Sequence, residues 1–284
     1  MHTFDNLISC TTRLIGIKGG QEISYGTGFF FVPAIMSTKS GEQATKLSII
    51  TNKHVIANAD EIGFVISTSN LDGSDVEHEY RVINSAHAIT HPNPNIDLCA
   101  FDITNVQVDI ANRQRRAMQI AVSFDDIAAD DDYFKNLLPL EQVLMVGYPT
   151  GLWDEVNNGA LARSGVLASN PAHDFKGKPD IVVDLACFPG SSGSPVFLFN
   201  PVGYQTRAAN IMGSRVKLIG VLYAGPTADA RGIVTSQPAP VSIGQEVSVR
   251  TMMNLGYAVK TTQLQPIIEI FRRNLADLIA QHEK

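Results

Sequence analysis

The apolar runs of this chain are short, and that constrains its fold more than any other feature. Leu14–Ile17, Gly28–Val32, Leu47–Thr51, Ile62–Ser67, Leu98–Ile103, Val143–Tyr148, Ile181–Leu185, Pro195–Phe199, Leu218–Tyr223 and Gly256–Lys260 are β-prone. Clusters of Gly, Pro, Asn and Asp separate them, which is the punctuation of strands and turns. Many short strands without amphipathic helices between them favour barrels or sandwiches over a parallel α/β sheet. No internal repeat at a fixed period interrupts the pattern.

Two segments break the strand rhythm. Ile120–Leu138, with the acidic stretch Asp125–Asp132, reads as a linker with some helix and divides the chain roughly in half. The tail Thr262–Glu283 carries Leu264, Ile267, Ile268, Phe271, Leu275, Leu278 and Ile279 at spacings of three and four. Those positions make one helical face suited to core packing, and Thr262 is placed to cap it. The expected organisation is an N-terminal β-barrel over 1–115, a linker and second β-barrel over 116–261, and a terminal helix over 262–284 that packs on the barrels.

A length of 284 residues suits two small domains or one large one with a real core. The formal net charge of −6 argues against a general nucleic-acid binder. The basic run Arg113–Arg116 then reads as a solvated linker face. No apolar stretch approaches the roughly 20 residues of a membrane span. The opening MHTFDNLISCTTRL lacks a basic segment followed by a long apolar one, so no secretory signal is expected. Cys10, Cys99 and Cys187 are too few, and odd in number, for a disulfide framework, and no CxxC pair suggests zinc. Cys99, inside an apolar run, reads as a buried inert thiol. These features point to a cytoplasmic chain with no cofactor, no metal, no nucleic-acid partner and no membrane role.

Three local patterns carry chemistry. Thr51-Asn52-Lys53-His54-Val55 follows an apolar run, so a strand ending there holds an imidazole at the edge of a cleft. Asn95-Ile96-Asp97-Leu98-Cys99-Ala100-Phe101 places an aspartate at the opening of a strand, where desolvation and a histidine N–H partner would define its role. Phe188-Pro189-Gly190-Ser191-Ser192-Gly193-Ser194-Pro195 is a small-residue turn able to present a serine hydroxyl and several backbone N–H groups. The order His, Asp, Ser puts two groups in the first half and the serine in the second, so a cleft between the halves is where they converge.

In these motifs the chain resembles the chymotrypsin-like (trypsin-fold) serine proteases, most closely the bacterial, disulfide-free branch that includes the high-temperature-requirement proteases. The resemblance rests on TNKHV, NIDLCAFDI and GSSGSPVF, with Gly26-Thr27-Gly28-Phe29-Phe30 upstream and Val146-Gly147-Tyr148-Pro149 between them. It implies an all-β fold of two six-stranded Greek-key β-barrels with a C-terminal α-helix. It also implies a serine endopeptidase acting on protein or peptide substrates, with Ser192 as nucleophile, His54 as general base and Asp97 as its orienting carboxylate. The backbone N–H groups of Gly190 and Ser192 would form the oxyanion hole. Asp102 competes with Asp97, but the family's strand pattern begins at Asp97.

Departures from the family are informative. Zymogen-activated members carry an aspartate before the nucleophile, where this chain has Ser191, so activation would come from loop ordering or from an activating protein partner. Ser194 stands where glycine is common. The resemblance puts Ala186 on the floor of the specificity pocket, with Ala224, Gly225 and Gly256 around it, which implies cleavage after Val, Leu, Met or an aromatic residue. Asp184, two residues from Ala186, and Asp229, in the segment Thr227–Gly232 read as a loop, are the carboxylates able to change that. An α/β-hydrolase reading needs a histidine after the serine, and only His282 follows Ser192. The remaining alternative is a protease-like regulatory or interaction module, latent until a partner activates it.

Overall fold

The computed structural model describes residues 3–128, 130–207, 209–234 and 245–283. A short helix, α1 (Thr3–Ile8), leads into β1 (Thr11–Lys18), β2 (Gln21–Ser37), β3 (Gln43–Thr51), β4 (Glu61–Asn70), β5 (Glu77–Asn84), β6 (Ile89–Thr90) and β7 (Cys99–Asp102). Helix α2 (Thr104–Asn112) then returns the chain to β8 (Arg115–Ala117). These strands pair antiparallel in the order β5-β4-β1-β2-β3-β7-β6, with β8 on β4. After α3 (Asp131–Asn136) come β9 (Gln142–Gly147), β10 (Leu161–Leu167), β11 (Asp180–Asp184), β12 (Pro195–Asn200), β13 (Gly203–Gln205), β14 (Asn210–Met212), β15 (Arg215–Ala224), β16 (Thr227–Val234), β17 (Gln245–Met252) and β18 (Leu255–Lys260). Six of them close a barrel in the order β10-β11-β18-β15-β12-β9, and α4 (Gln265–His282) ends the chain.

This mostly β architecture with a terminal helix is consistent with the expected chymotrypsin-like double barrel. The first half differs in detail, since it is an eight-stranded sheet. Its long strand β2 slips register against β3 between Phe31 and Ala34, around Pro33, which has no N–H to give a ladder. Such a bulge bends the strand and curls the sheet.

Each of the ten apolar runs falls on a strand, with only Leu98, Ile103, Tyr148 and Leu185 lying just past a strand end. The strands that periodicity does not reveal are those with little to bury. β5 alternates only between exposed and half-buried positions, and β13 and β14 form an exposed ribbon. Thr227–Gly232, expected as a loop, belongs to β16 and pairs with β17. The run Arg113–Arg116 is not a linker face. Arg115 and Arg116 are in β8, Arg113 bonds Glu79 at 2.8 Å, and Arg115 bonds Asp75 at 2.8 Å. Burial alone would raise the Glu79 carboxyl, but bonds from Arg113, Thr68 and Arg81 outweigh it and pull the group down to about 2.

Helix α4 joins the halves. Ile267, Ile268, Phe271 and Leu275 share one core cluster with Phe29, Phe31 and Ile50 of the first sheet and Phe197, Leu218 and Val259 of the barrel. Each such burial contributes ~1.5–3 kcal/mol. Thr262 does not cap this helix. A 3-10 turn, Thr261–Leu264, precedes it, and the Thr261 hydroxyl instead donates to Ala128 O at 2.6 Å. Leu278 faces solvent. No helix among the described residues is long and apolar enough to cross a membrane.

The three cysteines are free and buried. Burial raises the Cys10 and Cys187 thiols to about 12, and raises Cys99 as well. A thiol-specific reagent at neutral pH should therefore leave the native protein unmodified and titrate three thiols only in denaturant, because the thiolate is the reactive form. Modification of the native protein within minutes, or fewer than three thiols after non-reducing denaturation, would contradict this.

Candidate active site

Strand β3 ends at Thr51, and a single 3-10 turn, Lys53–Val55, carries His54 beyond it. Buried Val55 anchors the turn while the imidazole stays half-exposed. Asp97 lies in the loop before β7 and meets His54 twice. Its Oδ1 accepts the His54 backbone N–H at 3.1 Å, and its Oδ2 lies 2.5 Å from His54 Nδ1. Asn52, fully buried, steadies that loop by donating from Nδ2 to the Asp97 carbonyl at 2.7 Å. Burial would raise the Asp97 carboxyl, yet the hydrogen bonds from the His54 ring and backbone hold it below the ordinary carboxylate range. An ionised Asp97 makes Nδ1 the protonated ring nitrogen and leaves Nε2 with a lone pair. Asp102 is engaged elsewhere, accepting from Lys46 Nζ at 2.8 Å and from the Thr104 hydroxyl at 2.6 Å.

Ser192 sits in a tight turn before β12. Ser191 N donates to Phe188 O at 3.0 Å, Ser194 N to Ser191 O at 3.0 Å, and Gly193 N to Leu222 O at 2.8 Å. Gly190 and Gly193 both have φ of +88°, where a side chain is strained. A Cβ on Gly193 would also stand 1.9 Å from the Thr27 carbonyl oxygen. The two neighbouring carbonyls are taken. Pro189 O accepts from Thr150 N at 2.5 Å and Ser191 O from Ser194 N. Because C=O and N–H point opposite ways across a trans peptide, the N–H groups of Gly190 and Ser192 face away from those partners. The Ser192 hydroxyl donates to the Tyr223 carbonyl at 3.3 Å, and among the described residues no hydrogen bond joins it to His54. Ser191 and Ser194 are fully buried, and neither hydroxyl has a hydrogen-bond partner.

A cavity of about 130 Å³ opens beside Ser192, lined by Cys187, Phe188, Leu222, Ala224, Gly225 and Met252. Of the four residues the resemblance assigns to the specificity pocket, Ala224 and Gly225 line this cavity, and Ala186 and Gly256 do not. The Ala186 carbonyl accepts from Arg163 Nη1 at 3.1 Å. Gly256 lies behind Cys187, whose Sγ is 2.5 Å from the place a Gly256 Cβ would take. The floor is therefore raised by Cys187, and Met252 closes one side. Both contacts are tertiary, so motif spacing did not reveal them. Asp184 is exposed at the end of β11, and the Asp229 side chain lies outside the described residues. A larger cavity of about 490 Å³ borders Asp97 and Tyr223, with Asn93, Asn95 and Asp180 in its wall. The Tyr223 hydroxyl donates to Asp180 at 2.7 Å, and burial raises the Asp180 carboxyl.

Compared with known families, residues 26–200 match the one described as trypsin-like peptidase domain. No curated protein matches the sequence. Among solved structures, a serine endoprotease from Yersinia pestis is 15% identical, with 96% of this chain and 68% of that chain covered and a TM-score of 0.44. The MamO protease domain from Magnetospirillum magneticum, in its apo form, is 12% identical, with 94% and 97% covered and a TM-score of 0.40.

Proposed function

Because the chain belongs to the trypsin-like peptidase domain family and is a serine endopeptidase, we propose that it cuts protein or peptide chains with Ser192, His54 and Asp97 through an acyl-enzyme. The observation that carries the assignment is the two-point contact between His54 and Asp97, which orients the ring and leaves Nε2 free to accept a proton. Ser192 Oγ attacks the scissile carbonyl carbon as its proton passes to His54 Nε2. The N–H groups of Gly190 and Ser192 stabilise the charge that develops on the carbonyl oxygen. His54 returns the proton to the leaving amine, the C–N bond breaks, and the acyl group remains on Ser192. Water, deprotonated by His54, then releases the new carboxyl terminus and restores the serine.

A serine-directed fluorophosphonate tests this reading. It should form one covalent adduct per chain on the parent and none on Ser192→Ala. Equal labelling of both proteins would remove Ser192 from the role.

One observation favours a second reading, in which the chain is latent until a protein partner engages it. The Ser192 hydroxyl rests on Tyr223 O rather than on His54, so a rotation about its Cα–Cβ bond must precede attack. Parent protein that labels only after a partner is added would select this reading. The proposal also includes a bacterial, cytoplasmic setting without nucleic-acid or membrane partners, supported by the net charge of −6 and the free cysteines.

The pocket supports a substrate preference. A cavity of about 130 Å³ is smaller than the roughly 150 Å³ that holds a benzene ring, so it favours Val or Leu over an aromatic residue. A Lys or Arg side chain would find no carboxylate among the described lining residues and would approach the Arg163 guanidinium, which lies 4.8 Å from the Phe188 ring. At ~0.8 kcal/mol per buried carbon, Val should exceed Gly at the position before the cut by roughly 60-fold in kcat/KM. A peptide library in which Lys or Arg is cleaved best would sink this preference, and its loss in Asp184→Ala or Asp229→Ala would identify the carboxylate responsible.

A further inference from the structure

Thr27 of β2 is fully buried and belongs to neither half of the His54–Asp97 pair nor to the serine turn, yet it bonds both the serine turn and the end of the strand that leads to His54. Its N–H donates to Ser192 O at 2.8 Å. Its hydroxyl donates to Gly190 O at 3.0 Å and accepts from Tyr148 N at 3.1 Å. Its carbonyl accepts from the Thr51 hydroxyl at 2.7 Å, on the residue where β3 ends before the His54 turn. We infer that Thr27 is a positioning residue: its side chain fixes the Gly190–Ser191 peptide, and with it the conformation at Gly190 that aims the neighbouring N–H into the oxyanion hole, while its carbonyl ties the turn to the strand that leads to His54. This rests on the mechanism proposed above.

Backbone bonds hold the turn at Ser191, Gly193 and Ser194, and Gly190 depends on contacts made from other segments. The two peptides that flank the Gly190 Cα are each held from outside the turn: Thr150 N–H bonds Pro189 O in the peptide that carries the Gly190 N–H, and the Thr27 hydroxyl bonds Gly190 O in the next. The Thr150 contact is made by a residue in the left-handed region, φ 51°, next to Gly151 at φ 73°. A non-glycine residue persists there only when its surroundings over-determine it, and the Tyr148 N–H bond to Thr27 lies two residues away. Packing around Thr27 is close: a Cβ on Gly193 would stand 1.9 Å from Thr27 O, and one on Gly147 would meet Ser194 Oγ at 2.1 Å and Thr27 Oγ1 at 2.8 Å. Threonine suits the position because its branched Cβ restricts χ1 and fixes where the hydroxyl points.

Valine has nearly the same shape but no hydroxyl, so Thr27→Val would leave Gly190 O and Tyr148 N without their buried partner. Losing one oxyanion donor outright costs about 10²–10³ in kcat, and a displaced donor should cost on the order of 10- to 100-fold. Thr27→Val should show that fall in kcat with KM within about twofold, and Thr27→Ser should recover most of the rate. A peptide aldehyde, whose adduct needs the hole, should bind Thr27→Val more weakly in proportion to the lost kcat. Peptide affinity measured in a Ser192→Ala background should not change. Hydrogen exchange of the bonded Ser191, Gly193 and Ser194 amides should be faster in Thr27→Val than in the parent, and normal in Thr27→Ser.

Parent-like kcat and exchange in Thr27→Val would overturn the inference. So would a loss of kcat that leaves aldehyde affinity untouched, or one that Thr27→Ser does not recover. A parent that neither labels nor turns over would instead overturn the proposed mechanism, and the exchange comparison would still decide whether Thr27 orders the turn.

Discussion

Ser192→Ala should lower kcat by on the order of 10⁶ while leaving the fold and substrate affinity intact. The change removes one oxygen from a part-buried position where it makes a single hydrogen bond, to the Tyr223 carbonyl. Tyr223 lies past the end of the β12–β15 pairing and borders the larger cavity, where water can replace the hydroxyl, so the stability cost should stay within about 1 kcal/mol. The turn itself is held by the backbone bonds of Ser191, Gly193 and Ser194, none of which involves the Ser192 side chain. The checking measurement is steady-state hydrolysis of a Val-containing peptide beside a thermal melt. A variant that keeps the parent's turnover would show that another group attacks, and one that fails to fold would be replaced by Ser192→Thr or Ser192→Cys for the same comparison.

Asp97→Asn should keep the shape and lower kcat by on the order of 10⁴. The carboxylate accepts from His54 Nδ1, so the lone pair stays on Nε2. An amide at the same place can donate its NH₂ to Nδ1 and favour the tautomer with hydrogen on Nε2, which cannot take the serine proton. Asp102→Asn, which loses contacts to Lys46 and Thr104, should leave kcat nearly unchanged. If Asp102→Asn is the crippling change and Asp97→Asn is not, the carboxylate assignment is wrong. A pH series adds a second reading. The folded Asp97 carboxyl lies below its ordinary value, so its contribution to stability is complete above the unfolded value near 3.9 and is lost as pH falls through the folded one. The stability gap between parent and Asp97→Asn should therefore narrow as pH falls below about 4. A gap that widens with acid would mean Asp97 is not held ionised by the fold.

The strands that bury a face were legible because period and punctuation are local. Leu47–Thr51 and Leu218–Tyr223 are both mostly apolar and carry no charged residue. The His54, Asp97 and Ser192 motifs were legible for a related reason, since the chemistry needs those residue types at strand ends and in a small-residue turn. Polar strands escaped the reading. β5 buries almost nothing on either face, and β8 carries Arg115, which pairs with Asp75 and Glu77 from the neighbouring turn and strand. Their strand character comes from neighbours that are distant in sequence.

The pocket shows the same division more sharply. Ala186 lies six positions before Ser192 and Gly256 is a bare glycine, so both read as pocket residues. Packing decided otherwise, because Cys187 turns its sulfur toward Gly256 and Met252 closes in from a hairpin 60 residues downstream of Ser192. Thr27 is the clearest case. In the chain it is a threonine between two glycines, 163 residues from Gly190 and 24 from Thr51. The sequence by itself determined which side chains are the candidates to carry chemistry, because that depends on residue type and local backbone. Only the tertiary structure decided which carbonyl each N–H finds and how much room the pocket keeps, because those depend on distances of a few ångströms between strands the chain brings together from far apart.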